Sequence, residues 1–135
     1  MIKRMLSLLL FAVAVPSFAQ EDDPLARYLV PPDLIMAHSQ ELNLGDKQRA
    51  AIKSEVQKAQ SKFIDLQWDM KEESEKMVRL LQQTPADEAR ILEQADKVMS
   101  LERDIKKTQL SLLIRIRNFL TVEQMAKLDA IRRKP

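Results

Sequence analysis

Two runs of apolar side chains at alternating four- and three-residue steps constrain this chain more than any other feature. The first is Ile52, Val56, Ala59, Phe63, Leu66, Met70, Glu73, Met77 and Leu80, with Glu73 as its polar interruption. The second is Ile91, Ala95, Val98, Glu102, Ile105, Gln109, Leu112, Ile116 and Phe119, broken at Glu102 and Gln109. A half-buried strand alternates with period two, whereas this spacing places every member on one stripe of an α-helix and is the heptad seam of helices packed lengthwise. A helix reaching from Asp46 to about Gln82 spans roughly 55 Å at ~1.5 Å per residue, too long for a compact domain of this size. The chain must build a rod.

Leu81-Gln82-Gln83-Thr84-Pro85 separates the runs and reads as a turn. Thr84 is the expected N-cap of the next helix, Pro85 fits its first position, and Asp87 offers a carboxylate to the first-turn N–H groups. Near-equal lengths and a short link predict an antiparallel hairpin whose paired positions sum to about 167. That register sets Ile52 near Ile116, Phe63 near Ile105 and Met77 near Ile91.

A repeated pattern brackets the hairpin: Leu44-Gly45-Asp46-Lys47-Gln48 before it and Leu120-Thr121-Val122-Glu123-Gln124 after it. Thr121 with Gln124 is a capping box; Gly45 with Gln48 is half of one, since Gly has no side-chain acceptor. A first helix is expected from Asp33 to Leu42, with Leu34, Ile35, Ala37, His38 and Leu42 on its apolar face and Asn43 ending it. A fourth follows the second bracket and offers Val122, Met125, Leu128 and Ile131. Around Leu110 to Ile116 the third helix is apolar nearly all round and needs more than one neighbour. The expected fold is therefore all-α, an elongated antiparallel helical hairpin with short helices 1 and 4 packed at its open end. A single Gly and the absence of Cys agree with an all-helical fold and remove disulfides and thiolate metal sites.

The N-terminus has the pattern of a secretory signal peptide: Lys3 and Arg4, an apolar run from Leu6 to Val15, then Ser17-Phe18-Ala19 as a cleavage site. Roughly ten apolar residues fall short of the ~20 a spanning helix needs, so no stable membrane anchor is expected. The expected organisation is residues 1–19 as a cleaved signal, 20–32 as a flexible proline-punctuated leader whose apolar cluster of Leu25, Tyr28, Leu29 and Val30 packs onto the domain or meets a partner, and 33–134 as the four-helix domain, in a Gram-negative periplasm. The whole chain has 22 Lys plus Arg against 20 Asp plus Glu. Cleavage removes two basic residues and no acidic one, leaving a near-neutral protein with no charge argument for nucleic acid.

Two helices alone cannot hide Trp68, Met70, Met77, Met99, Leu80, Leu81 and Leu92 on the arm. Either a second copy covers them in a homodimer or they form a working surface, and the two are compatible. Beside them, Arg103, Lys106, Lys107, Arg115 and Arg117 outnumber Glu102 and Asp104. Long basic side chains next to exposed Leu and Met suit weak, promiscuous binding of unfolded chains; the alternative is a solvated helix face. The pairs Glu72/Lys76, Glu93/Lys97, Glu102/Lys106 and Asp129/Arg133 have the i, i+4 order of such a face. No catalytic constellation is present: no triad material beyond His38, no Gly-rich phosphate loop, no HExxH. The expectation is a non-enzyme without catalytic or cofactor-binding residues.

The two bracketing motifs, in a small secreted all-helical chain, resemble the Spy/CpxP family, whose hallmark is a repeated Leu-Thr-x-x-Gln motif. The second copy is complete; the first has Gly45 where Thr is usual. The resemblance covers roughly Pro32 to Ile131 and assigns Leu44, Gly45, Gln48, Leu120, Thr121 and Gln124 as motif residues. It implies an elongated hairpin, often a cradle-shaped homodimer. In its chaperone members unfolded or partly folded envelope proteins bind the concave face without ATP. In its sensor members His-rich sites bind zinc, nickel or cobalt and regulate an envelope sensor protein. The first reading here is the chaperone, with Trp68, Met70, Met77, Met99, Arg103, Lys106 and Lys107 as client-binding candidates; the alternative is the heavy-metal sensor or resistance protein. No cofactor is expected beyond a divalent metal held weakly at His38 and Glu41, which share a helix face; a partly buried helical histidine is the simpler account. Copper(I) on the methionines competes with ordinary core filling.

Overall fold

A computed structural model of the chain describes residues 25 and 28–134. The signal-peptide expectation and the start of the leader lie outside the described residues. The elements are four α-helices: α1 (Pro32–Ala37), α2 (Asp46–Leu81), α3 (Glu88–Phe119) and α4 (Val122–Arg133). Among the described residues there is no strand, and no helix is long and apolar enough to cross a membrane. The all-α hairpin stands.

Cross-hairpin hydrogen bonds fix the register that the seams predict. The Gln48 side chain donates to the Phe119 carbonyl at 2.7 Å, and the Gln94 side chain donates to the Glu73 carbonyl at 2.8 Å. Both pairs obey the 167 relation. At the open end Val30, Ile35, Leu42, Leu44, Ile52, Ile116 and Leu128 form one buried cluster, with Leu34, Val56, Leu112, Phe119, Leu120 and Met125 packed against it. Each fully buried side chain of the cluster contributes about 1.5–3 kcal/mol of hydrophobic stabilisation. Val30, in the expected leader, is thus a core residue, and the Leu29 carbonyl next to it accepts from Arg132 Nη2 at 2.8 Å. Beyond Val56 and Leu112 only α2 and α3 remain to cover one another.

Several local expectations need correction. The first helix ends at Ala37, not Leu42, and residues 38–43 continue as turns. Asn43 takes φ 51°, and the bonds Asn43 N–H to the Gln40 carbonyl and Leu44 N–H to the Ser39 carbonyl make a Schellman-type stop. Asn tolerates the left-handed conformation, and Leu44 drops into the core behind it. At the arm's far end α3 is capped by Asp87, whose carboxylate accepts from the Arg90 N–H at 3.2 Å, rather than by Thr84. Asp is the stronger cap and adds a favourable charge at the helix N-terminus. Val122 is 87% exposed and covers nothing, being the first residue of α4 and turned outward.

The seam of α3 also lies slightly to one side of the predicted line. Val98, Ile105, Leu112, Ile116 and Phe119 belong to it, but Gln94, Leu101 and Thr108 face inward while Glu102 is exposed. The inward polar groups are satisfied: Thr108 Oγ1 donates to the Asp104 carbonyl at 2.8 Å and Gln94 bonds to Glu73. Leu128→Ala, which empties a fully buried site, should cost about 2–5 kcal/mol by chemical denaturation, whereas the exposed Leu92→Ala should stay within about 0.5 kcal/mol of the parent.

Candidate functional site

The motif residues meet in one polar hub inside the base. Gln48 Oε1 accepts from the Gly45 N–H at 2.9 Å, and Gln124 Oε1 accepts from the Thr121 N–H at 2.9 Å. Each amide thus closes the start of its own helix. The two then bond each other: Gln48 Nε2 donates to Gln124 Oε1 at 2.7 Å, and Gln124 Nε2 returns a bond to Gln48 Oε1 at 3.1 Å. Their remaining N–H groups reach the Phe119 and Leu42 carbonyls at 2.7 and 3.1 Å. All four bonding positions of both amides are used, so the hub offers nothing to a ligand. Leu44 belongs to the buried apolar cluster of the base, and Leu120 packs against that cluster. Thr121 completes its box by accepting from the Gln124 N–H at 3.1 Å, a bond Gly45 cannot make. Gly45 has ordinary extended angles, φ −70° and ψ 158°, and a Cβ there would meet only Gln48 Oε1 at 3.7 Å. Gly45→Ser should therefore stabilise the protein by a few tenths of a kcal/mol, read as a raised thermal midpoint.

Midway along the arm lies a second polar node. Gln94, 6% exposed, donates to Glu73 Oε2 at 2.6 Å as well as to the Glu73 carbonyl. Lys76 Nζ sits 2.7 Å from Glu73 Oε1 and 3.0 Å from Glu72 Oε1. The Lys76 bond, and then the Gln94 bond, hold the Glu73 carboxyl below its usual value, and bonds to Glu73 and Glu72 raise Lys76. Nearer the base Arg115 Nη1 bridges to Glu55 Oε2 at 3.0 Å across the hairpin, and that bond chiefly lowers Glu55. A carboxylate with a lowered folded pKa contributes stability above its unfolded pKa and loses it as pH falls through the folded value. Glu73→Gln should therefore melt below the parent at neutral pH, and the gap should close as the buffer is taken below pH 4.5.

The client-binding candidates separate into two groups. Met70 and Met77 are half-buried on the seam of α2. The others are outside it. Trp68 is 66% exposed, with Lys71 Nζ 5.5 Å from its ring centroid, and shares a stripe with Ile64 and Val78 at helical spacing. On α3, Leu92, Met99, Arg103, Lys106, Leu110 and Ile114 fall on one outward stripe, with Met99 52% exposed. The 167 relation sets Trp68 level with Met99, and Ile64 level with Arg103. Ile64 was not among the sequence candidates, although its i, i+4 spacing to Trp68 carried the signal; nor was Val78, fourteen residues beyond Ile64.

The basic cluster also divides. Arg115 is committed to Glu55, and Arg117 lies over the Tyr28 ring at 6.0 Å. Among the described residues no ion pair or hydrogen bond engages the side chains of Arg103, Lys106 or Lys107. Of the four i, i+4 pairs expected, Glu72/Lys76 closes, while Glu93/Lys97, Glu102/Lys106 and Asp129/Arg133 do not come within salt-bridge distance. Three cations therefore stand uncommitted beside an apolar stripe.

His38 and Glu41 come together, with Nδ1 and Oε1 3.0 Å apart at the end of α1. Two donors do not make a metal site, and among the described residues no group of three or more His, Cys, Asp or Glu is placed to hold an ion.

A family model described as heavy-metal resistance matches residues 7–127. No curated protein and no solved structure matches the chain.

Proposed function

The chain belongs to the heavy-metal resistance family, within the Spy/CpxP-like helical periplasmic group, and from that premise we propose that it is an ATP-independent chaperone of envelope stress. Its clients are unfolded or partly folded proteins of the periplasm, and it works as a homodimer. The observation that carries this reading is the outward stripe of α3, where Leu92 and Met99 on one side and Leu110 and Ile114 on the other flank the uncommitted Arg103 and Lys106. Lys107 flanks the stripe, and Trp68, level with its centre along the axis, stands on the outer face of α2.

Such a surface suits clients that share no sequence. Apolar side chains take up exposed client Leu, Val and Phe at ~25 cal/mol per Å² removed from water. The basic heads attract acidic or partly folded chains at long range, and their aliphatic stems add contact area. No single deep pocket is involved, so affinity is weak and spread over many positions, as promiscuous binding requires. A second copy would cover part of the exposed arm and leave the rest as the rim of a cradle.

A sensor or resistance role exercised through metal is the second reading, favoured by the family's description. The two part in one assay: aggregation of a chemically denatured client, followed by light scattering without ATP, with and without zinc. The chaperone reading expects suppression in both conditions, and no suppression in either would sink it. Replacing Arg103, Lys106 and Lys107 with Glu should weaken suppression several-fold while the thermal midpoint and the oligomeric state stay put. Equal suppression by that variant would remove the α3 stripe from the mechanism.

A further inference from the structure

We infer that this chain serves heavy-metal tolerance without coordinating the metal itself, so that its surface answers to the proteins a metal damages and not to the ion. The first half rests on the donor set; the second rests on the client-binding reading above. A borderline ion such as zinc, nickel or cobalt wants several nitrogen or sulfur ligands gathered at one point. The whole sequence has one His and no Cys. That His38 already shares Nδ1 with Glu41, leaving one ring nitrogen, so each copy supplies at most one nitrogen and one oxygen, and even two such pairs meeting in a dimer would bring only two nitrogens.

Oxygen donors are plentiful but already engaged where they gather. Asp69, Glu72 and Glu73 line one shallow groove on the arm with Lys97, Ser100 and Leu101. Lys76 Nζ reaches Glu72 and Glu73 at 3.0 and 2.7 Å, where a cation would otherwise sit. The second oxygen of Glu73 takes the Gln94 amide at 2.6 Å. An incoming divalent ion would have to displace an ammonium and take from a buried amide one of its two acceptors on Glu73.

Methionines do not replace the missing ligands. Met70 and Met77 are seven residues apart on one continuous helix, about 10.5 Å along its axis at ~1.5 Å per residue, too far to share a copper(I) ion. Met99 lies on the outer stripe of the other helix, Met125 packs on the base core, and Met36 is exposed on α1. Their dispersal is that of gap-fillers and surface apolar groups.

The test is competition for metal, run on the mature full-length protein at concentrations where it has reached its final oligomeric state. Zinc, nickel and cobalt are presented with a chromophoric chelator of micromolar affinity, and copper(I) with a colorimetric chelator under reducing conditions. The expected result is no loss of chelated metal for parent, His38→Ala or Met70→Leu, together with client suppression that is the same with EDTA and with added zinc. Stoichiometric withdrawal of any of these metals by the parent overturns the inference, whether or not either variant abolishes it. Absence of both withdrawal and suppression leaves the donor argument standing and overturns the client-binding half.

Discussion

The amide pair of Gln48 and Gln124 is the contact on which the other elements depend. It joins side chains 76 residues apart, and through their capping roles it ties the start of α2 to the start of α4. Its outer bonds reach the carbonyls of Phe119 and Leu42, one at the end of α3 and one at the turn out of α1. Four chain segments are thus pinned at a single point. Because Gln124 is buried, losing either amide would strand donors and acceptors away from water, where each costs about 1–3 kcal/mol. The core of Ile35, Leu42, Ile52, Ile116 and Leu128 supplies the bulk of the stabilisation, but apolar contacts are non-directional. The amides decide which way those segments enter it.

Farther along, the hairpin has no third element to help it. Gln94 and Glu73 therefore do for the arm what the glutamine pair does for the base. A slip of one turn would bury the Gln94 amide against apolar seam residues and leave Glu73 without it, so the pair penalises every register but its own. The cost is a core interrupted by polar groups, held together by Lys76 at its rim.

How legible this was depended on the range of the interaction. The seams, the brackets and the antiparallel register follow from spacings within a helix and from the shortness of the link; the structure keeps the brackets, the register and the seam of α2, and shifts the seam of α3 to one side. The stop at Ala37 and the cap at Asp87 turn on fractions of a kcal/mol between neighbouring choices, such as Asp against Thr, which spacing alone does not resolve. On α3 the seam called for Leu101 in place of Glu102, a choice the apolar character of Leu101 already signalled but the strict four-three count overrode. The glutamine pair could not be foreseen. Each Gln was readable as a cap, yet that the two caps face one another is a property of the folded register. Three expected i, i+4 ion pairs fail to close because an exposed pair gains little against the entropy of fixing two long side chains.

Separation of the base from the arm has a consequence for the surface. A base that is capped, bonded and packed lets the arm keep Trp68 and Met99 in water without threatening the fold, since neither contributes to the buried cluster. The same separation explains where the basic residues divide. Arg115 and Arg117, close to the base, are drawn into the structure by Glu55 and Tyr28, whereas Arg103, Lys106 and Lys107 lie beyond it and stay uncommitted. The first group is tied into the fold, and the second is left to whatever the surface meets. A stripe that is apolar, cationic and structurally dispensable can change its side chains without unfolding the protein, which is the property a binding face needs if it is to suit many partners.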